Sequence, residues 1–128
     1  MLKFNEVVKD NNGVLGIIED ANVFDGDNIL EDDDNFGVGV IFMDVDAEGG
    51  TWWCTSNKEQ NENSCIIEKI EKDSQEYNNF MNWYKEYNDL YKPWIEAVSI
   101  SKSHEEEKEA YNLRPTQKQL DELYKRYK

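Results

Sequence analysis

The chain has 128 residues, a formal net charge of −14, 38% hydrophobic residues and 12% aromatic residues. That length fits one domain, and the aromatic content sets it apart from disordered acidic chains, which are poor in aromatics. The negative field argues against direct contact with DNA, RNA or an anionic membrane and favours basic partner surfaces, and no apolar run approaches the roughly 18 residues needed to span a bilayer.

The first 70 residues read as strands. "NEVVKD" (5–10) leads into "NNG" (11–13), a tight-turn signal because Asn and Gly tolerate positive φ. "VLGIIED" (14–20) gives a second strand, and the segment 24–35, "FDGDNILEDDDN", a loop. "NFGVGVIFMD" (35–44) gives a third, with Phe36, Val38, Val40 and Phe42 on one face and Gly37 and Gly39 opening the other to a close neighbour. After the turn 45–50, "TWWCT" (51–55) and "SCIIEKI" (64–70) are the fourth and fifth strands. Five short strands with tight turns predict a small, strongly bent barrel.

Val7, Val8, Gly13, Gly16, Val38, Val40, Phe42, Gly50, Trp52 and Trp53 stand in an order that resembles small SH3-like barrels of the KOW or Mind-bomb type. The resemblance covers about residues 4–70 and implies a fold only, because such barrels host many roles.

Beyond Ile70 the pattern becomes helical. Tyr77, Phe80, Met81, Tyr84, Tyr87 and Tyr91 recur at spacings of three and four, with Asp73 or Ser74 placed to cap the first turn. Pro93 predicts an end or a kink near Lys92. A second helix is expected within 93–112, with Ile95 and Val98 sharing a face. A third follows Pro115, where Thr116 and Gln119 form a capping box ahead of the stripe Leu120, Leu123, Tyr124 and Tyr127. The fold expected is therefore α+β: a five-stranded SH3-like β-barrel with an acidic loop (1–71), then two or three C-terminal α-helices (72–128) packed on it.

The adjacent Trp52 and Trp53 cannot both enter one core if they lie in a strand, because successive side chains point to opposite faces. One is expected to fill the barrel and the other to lie under the tyrosine-rich helix, or to wait on the surface as an aromatic anchor for a partner.

Charge is unevenly placed. Residues 1–48 hold 13 acids against two lysines, a net −11, while residues 49–128 sum to −3. A solvated loop is the plain reading of such a run, but dense like charge costs stability by self-repulsion, so a chain that keeps it is expected to use it. Closely spaced carboxylates on a rigid scaffold imitate a row of phosphates and would occupy a basic groove. The acidic surface expected comprises Asp25, Asp27, Glu31, Asp32, Asp33, Asp34, Asp44, Asp46 and Glu48, with Trp52 or Trp53 as anchor.

Catalytic groups are thin. His104 is the single histidine and lies in "SKSHEEEKE"; Cys54 and Cys65, the only cysteines, have no spacing that points to it as a base. No G-x-S-x-G, P-loop or G-x-G-x-x-G occurs, and "FGVGV" lacks a following helix start. "DVDAEGGTWWCT" opens like a calcium loop but puts Thr55 where a bidentate Glu is needed, and "DGDNILEDDDN" puts Ile29 at a ligand position. No metal, cofactor or enzymatic activity is expected. Two cysteines make no disulfide scaffold, and "MLKFNEVVKD" has no apolar h-region, so reduced thiols in a bacterial cytoplasm are the expectation.

In size, charge and lack of catalytic residues the chain resembles phage-encoded anti-CRISPR and anti-restriction inhibitors, a resemblance of character without a shared motif. It implies a non-enzymatic acidic protein that blocks a basic nucleic-acid-handling partner, with DNA mimicry as one such mode. The rival expectations are an SH3-like adapter working through its aromatics and an immunity protein against a basic toxin.

Overall fold

The computed structural model describes residues 2–30, 37–47, 52–55, 65–66 and 68–128, with 52–55 and 65–66 described as backbone. It is α+β: a small, largely antiparallel sheet followed by three helices. The strands are β1 (Val7–Lys9), β2 (Leu15–Ala21), β3 (Phe24–Asp25), β4 (Asn28–Ile29), β5 (Val38–Phe42), β6 (Trp52–Thr55), β7 (Cys65–Ile66) and β8 (Glu68–Lys69). Six of them form one sheet in the order β7-β6-β5-β2-β1-β8, and β3 and β4 form a separate hairpin.

Two features differ from the expected five-stranded barrel. The described ladder is a six-stranded sheet with two edges, not a closed barrel. Its edges, β7 and β8, are consecutive pieces of the expected fifth strand, and the two pieces pair with different neighbours: β7 parallel to β6, β8 antiparallel to β1. The expected loop 24–35 also begins as a hairpin. Gly26, at φ 61, supplies the positive φ its two-residue turn needs, and Ile29 is fully buried.

Strands β1, β2 and β5 are covered on both faces. Val8, Ile18, Ala21, Val38, Val40 and Phe42 enclose one core with Leu2 and Ile29. Val7, Leu15, Ile17, Ile41 and Met43 alternate with them and form a second core against the helices, built from Phe80, Trp83, Tyr87, Tyr91, Leu120 and Leu123. A strand that reads apolar at every position is what a sheet covered on both sides requires. The register shifts between Ile18 and Asp20, which returns Ala21 to the first core opposite Val38.

The first helix, α1 (Gln75–Ile100), continues past Pro93, so of the expected end or kink near Lys92 the end is corrected. Proline removes one backbone bond, but the buried Tyr91 and half-buried Trp94 on either side keep the stripe docked, and packing outweighs the local penalty. Ser74 caps the start, its side chain accepting from the Tyr77 amide. At the far end the Ser99 and Ser101 hydroxyls donate to the Glu96 and Ala97 carbonyls. The expected second helix is α2 (His104–Tyr111), so Ile95 and Val98 belong to α1. The third, α3 (Gln117–Tyr127), starts at the expected Thr116–Gln119 capping box and buries Leu120 and Leu123. No described helix is long and apolar enough to cross a membrane.

Candidate functional site

The turn after β5 carries Asp44 and Asp46, both exposed. Its backbone is held from outside the sheet. The Gln117 carboxamide accepts a hydrogen bond from the Ala47 amide at 2.7 Å and donates to the Val45 carbonyl at 3.3 Å, so one side chain clips the turn as a neighbouring strand would. Arg114 donates from Nη2 to the Ala47 carbonyl at 2.6 Å. Its guanidinium lies 4.8 Å from the Tyr111 ring centroid and 5.3 Å from that of Trp94, cation–π distances that fix the head group while leaving its charge near the acidic turn. Val45 itself is buried in the second core, which anchors the turn from below.

Asp44 has its carboxyl pKa raised, first by burial among its neighbours and then by the nearby Asp10 carboxylate. Asp10 is committed to its own hairpin, accepting from the Asn12 and Val14 amides at 2.9 and 2.8 Å. Both carboxylates also push the Tyr124 phenol upward, after its burial. The fold therefore keeps like charges together at some cost in stability. Because the folded pKa of Asp44 lies above its unfolded value, the folded state holds the extra proton between the two, and stability from this group falls as pH rises through that window. Asp44→Asn is expected to raise the urea midpoint near neutral pH, with the gain vanishing below the ordinary aspartate pKa of about 3.9. Loss of stability in the variant near neutral pH would mean that the carboxylate is held by favourable contacts instead.

A second acidic element is the β3–β4 hairpin, where exposed Asp25 and Asp27 flank Gly26 at the tip. The hairpin is attached to the first core: the Phe4 amide donates to the Asp27 carbonyl at 3.3 Å, and the Phe4 and Phe24 rings meet edge to face at 5.2 Å. Of the expected surface, Glu31, Asp32, Asp33, Asp34 and Glu48 lie outside the described residues, as does Phe36. Trp52 and Trp53 are described as backbone: Trp52 is the register partner of Val40 and Trp53 of Gly39. Which of the two fills the core lies outside the described residues.

His104 opens α2, is exposed, and stands 3.9 Å from Glu107 one turn on, a surface pair. A cleft of about 520 Å³ opens between the β1–β2 hairpin, the first turns of α1 and the end of α3. Its walls carry both signs of charge, with Glu76 paired to Lys9 at 3.3 Å beside Arg126 and Lys128. No cluster of three or more His, Cys, Asp or Glu suited to a metal occurs among the described residues.

Arg114 and Gln117 were invisible as site residues in sequence. Each reaches a backbone group about 70 positions away, and no local pattern marks such a partner. The nearest signal is "RPTQ", where a cation and an amide bracket a helix start. Comparison with family models, curated proteins and solved structures finds no match to this chain.

Proposed function

We propose that the chain is a non-catalytic binding protein that offers a rigid acidic surface to a basic, nucleic-acid-handling protein, in the manner of anti-CRISPR or anti-restriction inhibitors that imitate DNA. The observation that carries this reading is the external clamp on the Asp44–Asp46 turn by Gln117 and Arg114. A loop that served only to solvate the chain would have no need of two side chains fixing its backbone. Preorganised charge avoids the ordering entropy that a floppy acidic loop loses on binding. The exposed pair Asp25 and Asp27 would extend the same surface.

The scaffold in this reading is an SH3-like sheet that stops short of closing into a barrel. Support comes from the segment 65–69, whose first half pairs with β6 and whose second half pairs with β1, so one stretch of chain meets both edges of the sheet. The protein-interaction adapter remains a second reading because one observation favours it. Ile95, Ile100, Tyr111 and Leu113 are 49–76% exposed around the distal end of α1 and α2. Exposed apolar groups of that size suit protein contact.

Salt and charge reversal separate the two. Partners captured from a bacterial lysate would be washed at about 0.1 M and about 1 M salt, between which the Debye length drops from ~10 to ~3 Å. The expected result is a DNA-handling protein retained at low salt and lost at high salt. Replacing Asp25, Asp27, Asp44 and Asp46 by Lys is expected to weaken its binding at least tenfold, about 1.4 kcal/mol, with the circular dichroism spectrum unchanged. Undiminished affinity in the folded quadruple variant would sink the acidic-surface mechanism, and a partner that survives the high-salt wash would favour the apolar one.

A further inference from the structure

The chain has two cysteines, Cys54 and Cys65, with ten residues between them in sequence. The sheet brings them together: β6 and β7 run parallel, with Cys54 the register partner of Cys65 and Thr55 that of Ile66. Neighbouring strands lie about 4.7–4.9 Å apart, inside the roughly 4.4–6.8 Å between Cα atoms that a disulfide spans. Directly paired residues of a ladder also share a face of the sheet, the second condition for bridging. Sequence alone gave these thiols no common role, because a separation of ten residues says nothing about register.

We propose that Cys54 and Cys65 are a reversible thiol–disulfide site that locks β6 to the segment carrying both edges of the sheet. The oxidant class is a small disulfide such as oxidised glutathione. One cysteine thiolate attacks a glutathione sulfur, breaking its S–S bond and releasing one reduced glutathione. The second cysteine thiolate then attacks the cysteine sulfur of the mixed disulfide and releases the other. The two cysteine protons end on the two glutathione thiols, so the chain is oxidised by two electrons and one oxidised glutathione is reduced. A dithiol reductant reverses both steps. The β6–β7 ladder is two residue pairs long, as is β1–β8, so a covalent tie there reinforces one of the two shortest described ladders of the sheet. The inference stands apart from the acidic surface, since none of its residues takes part in it.

The test uses the full chain, equilibrated in reduced or in oxidised glutathione, acid-quenched, unfolded, alkylated with a maleimide and weighed intact. Two maleimides are expected after the reduced buffer. After the oxidised buffer the monomer is expected to carry none and to be lighter by two hydrogens. Glutathione adducts, disulfide-linked dimers or two alkylated thiols after oxidation would overturn the proposal. The same titration in unfolding urea is expected to need at least tenfold more oxidised glutathione for half-closure, because register supplies the effective concentration. Equal or easier closure in urea would show that the native register opposes the bond, and would equally overturn the proposal.

Discussion

Replacing Trp83 with alanine is expected to cost about 3–5 kcal/mol of stability, the range for deleting a buried aromatic side chain. Trp83 has no solvent exposure and sits at the centre of the second core. Its ring is stacked on Tyr87 at 5.0 Å and tilted against Phe80 at 5.4 Å, so deletion breaks the aromatic column of α1 on both sides. A domain with the usual 5–15 kcal/mol in total would lose about a fifth or more of it. The indole also carries a buried N–H with no hydrogen-bond partner among the described residues. Such a donor costs roughly 1–3 kcal/mol of desolvation, so Trp83→Phe, which removes it and keeps a ring, is expected to cost far less than alanine. Urea unfolding of the three proteins, followed by helix and by sheet signals, checks both parts. If alanine costs under about 1 kcal/mol, the helices are a weakly docked appendage and the second core contributes little to the fold.

The same column explains how α1 was readable in sequence and where the reading failed. Tyr77, Phe80, Tyr84, Tyr87 and Tyr91 announce the helix by period alone, and the structure places them along the second core, with Phe80, Tyr87 and Tyr91 buried and Tyr77 and Tyr84 half-buried. The stop at Pro93 was a local inference, and local rules give way when a stripe continues past the breaker: Trp94 lies 6.2 Å from Tyr91 and carries the packing on. Strand positions were legible for a similar reason. The turn at Asn11–Gly13 and the run Val38–Phe42 obey short-range chemistry, and Gly13 does adopt φ 84. What could not be read was pairing. Nothing in "SCIIEKI" says that its two halves serve opposite edges of the sheet, or that Cys65 meets Cys54. The acidic turn shows the same division. Asp44 and Asp46 stand out by charge, whereas the Arg114 and Gln117 side chains that shape their backbone are fixed only by tertiary contact.

That clamp links the helical layer to the proposed binding surface. Arg114 is wedged between Tyr111 and Trp94, and Gln117 opens α3, so the acidic turn keeps its shape only while α1, α2 and α3 are docked. Damage to the second core should therefore weaken partner binding even where no acidic residue is touched. Trp83→Ala would be expected to lower affinity at temperatures where the sheet itself still persists.

The second large effect is expected at Gly16, which was readable in sequence only as a glycine in a strand. A β-carbon built there would lie 2.6 Å from Val40 Cγ1, 2.7 Å from Phe42 Cδ1 and 2.9 Å from the Ile41 carbonyl oxygen. Val40 and Phe42 are locked in the first core, and the carbonyl belongs to β5 itself, directly paired with β2. Neither a rotamer change nor a small side-chain shift clears all three contacts; β2 and β5 must move apart. Overpacking of this kind costs typically 1–3 kcal/mol, occasionally more, and the strain here falls on the central pair of the sheet. Gly16→Ala is accordingly expected to lower the unfolding midpoint, and Gly16→Val to prevent folding. By contrast Gly13→Ala meets no atom within 4 Å, and its cost comes from the φ of 84 alone, about 1 kcal/mol. Thermal melts of the three variants rank the two mechanisms. If Gly16→Ala melts no lower than Gly13→Ala, the β2–β5 pair is able to open without loss, and close approach of these strands is not what demands glycine.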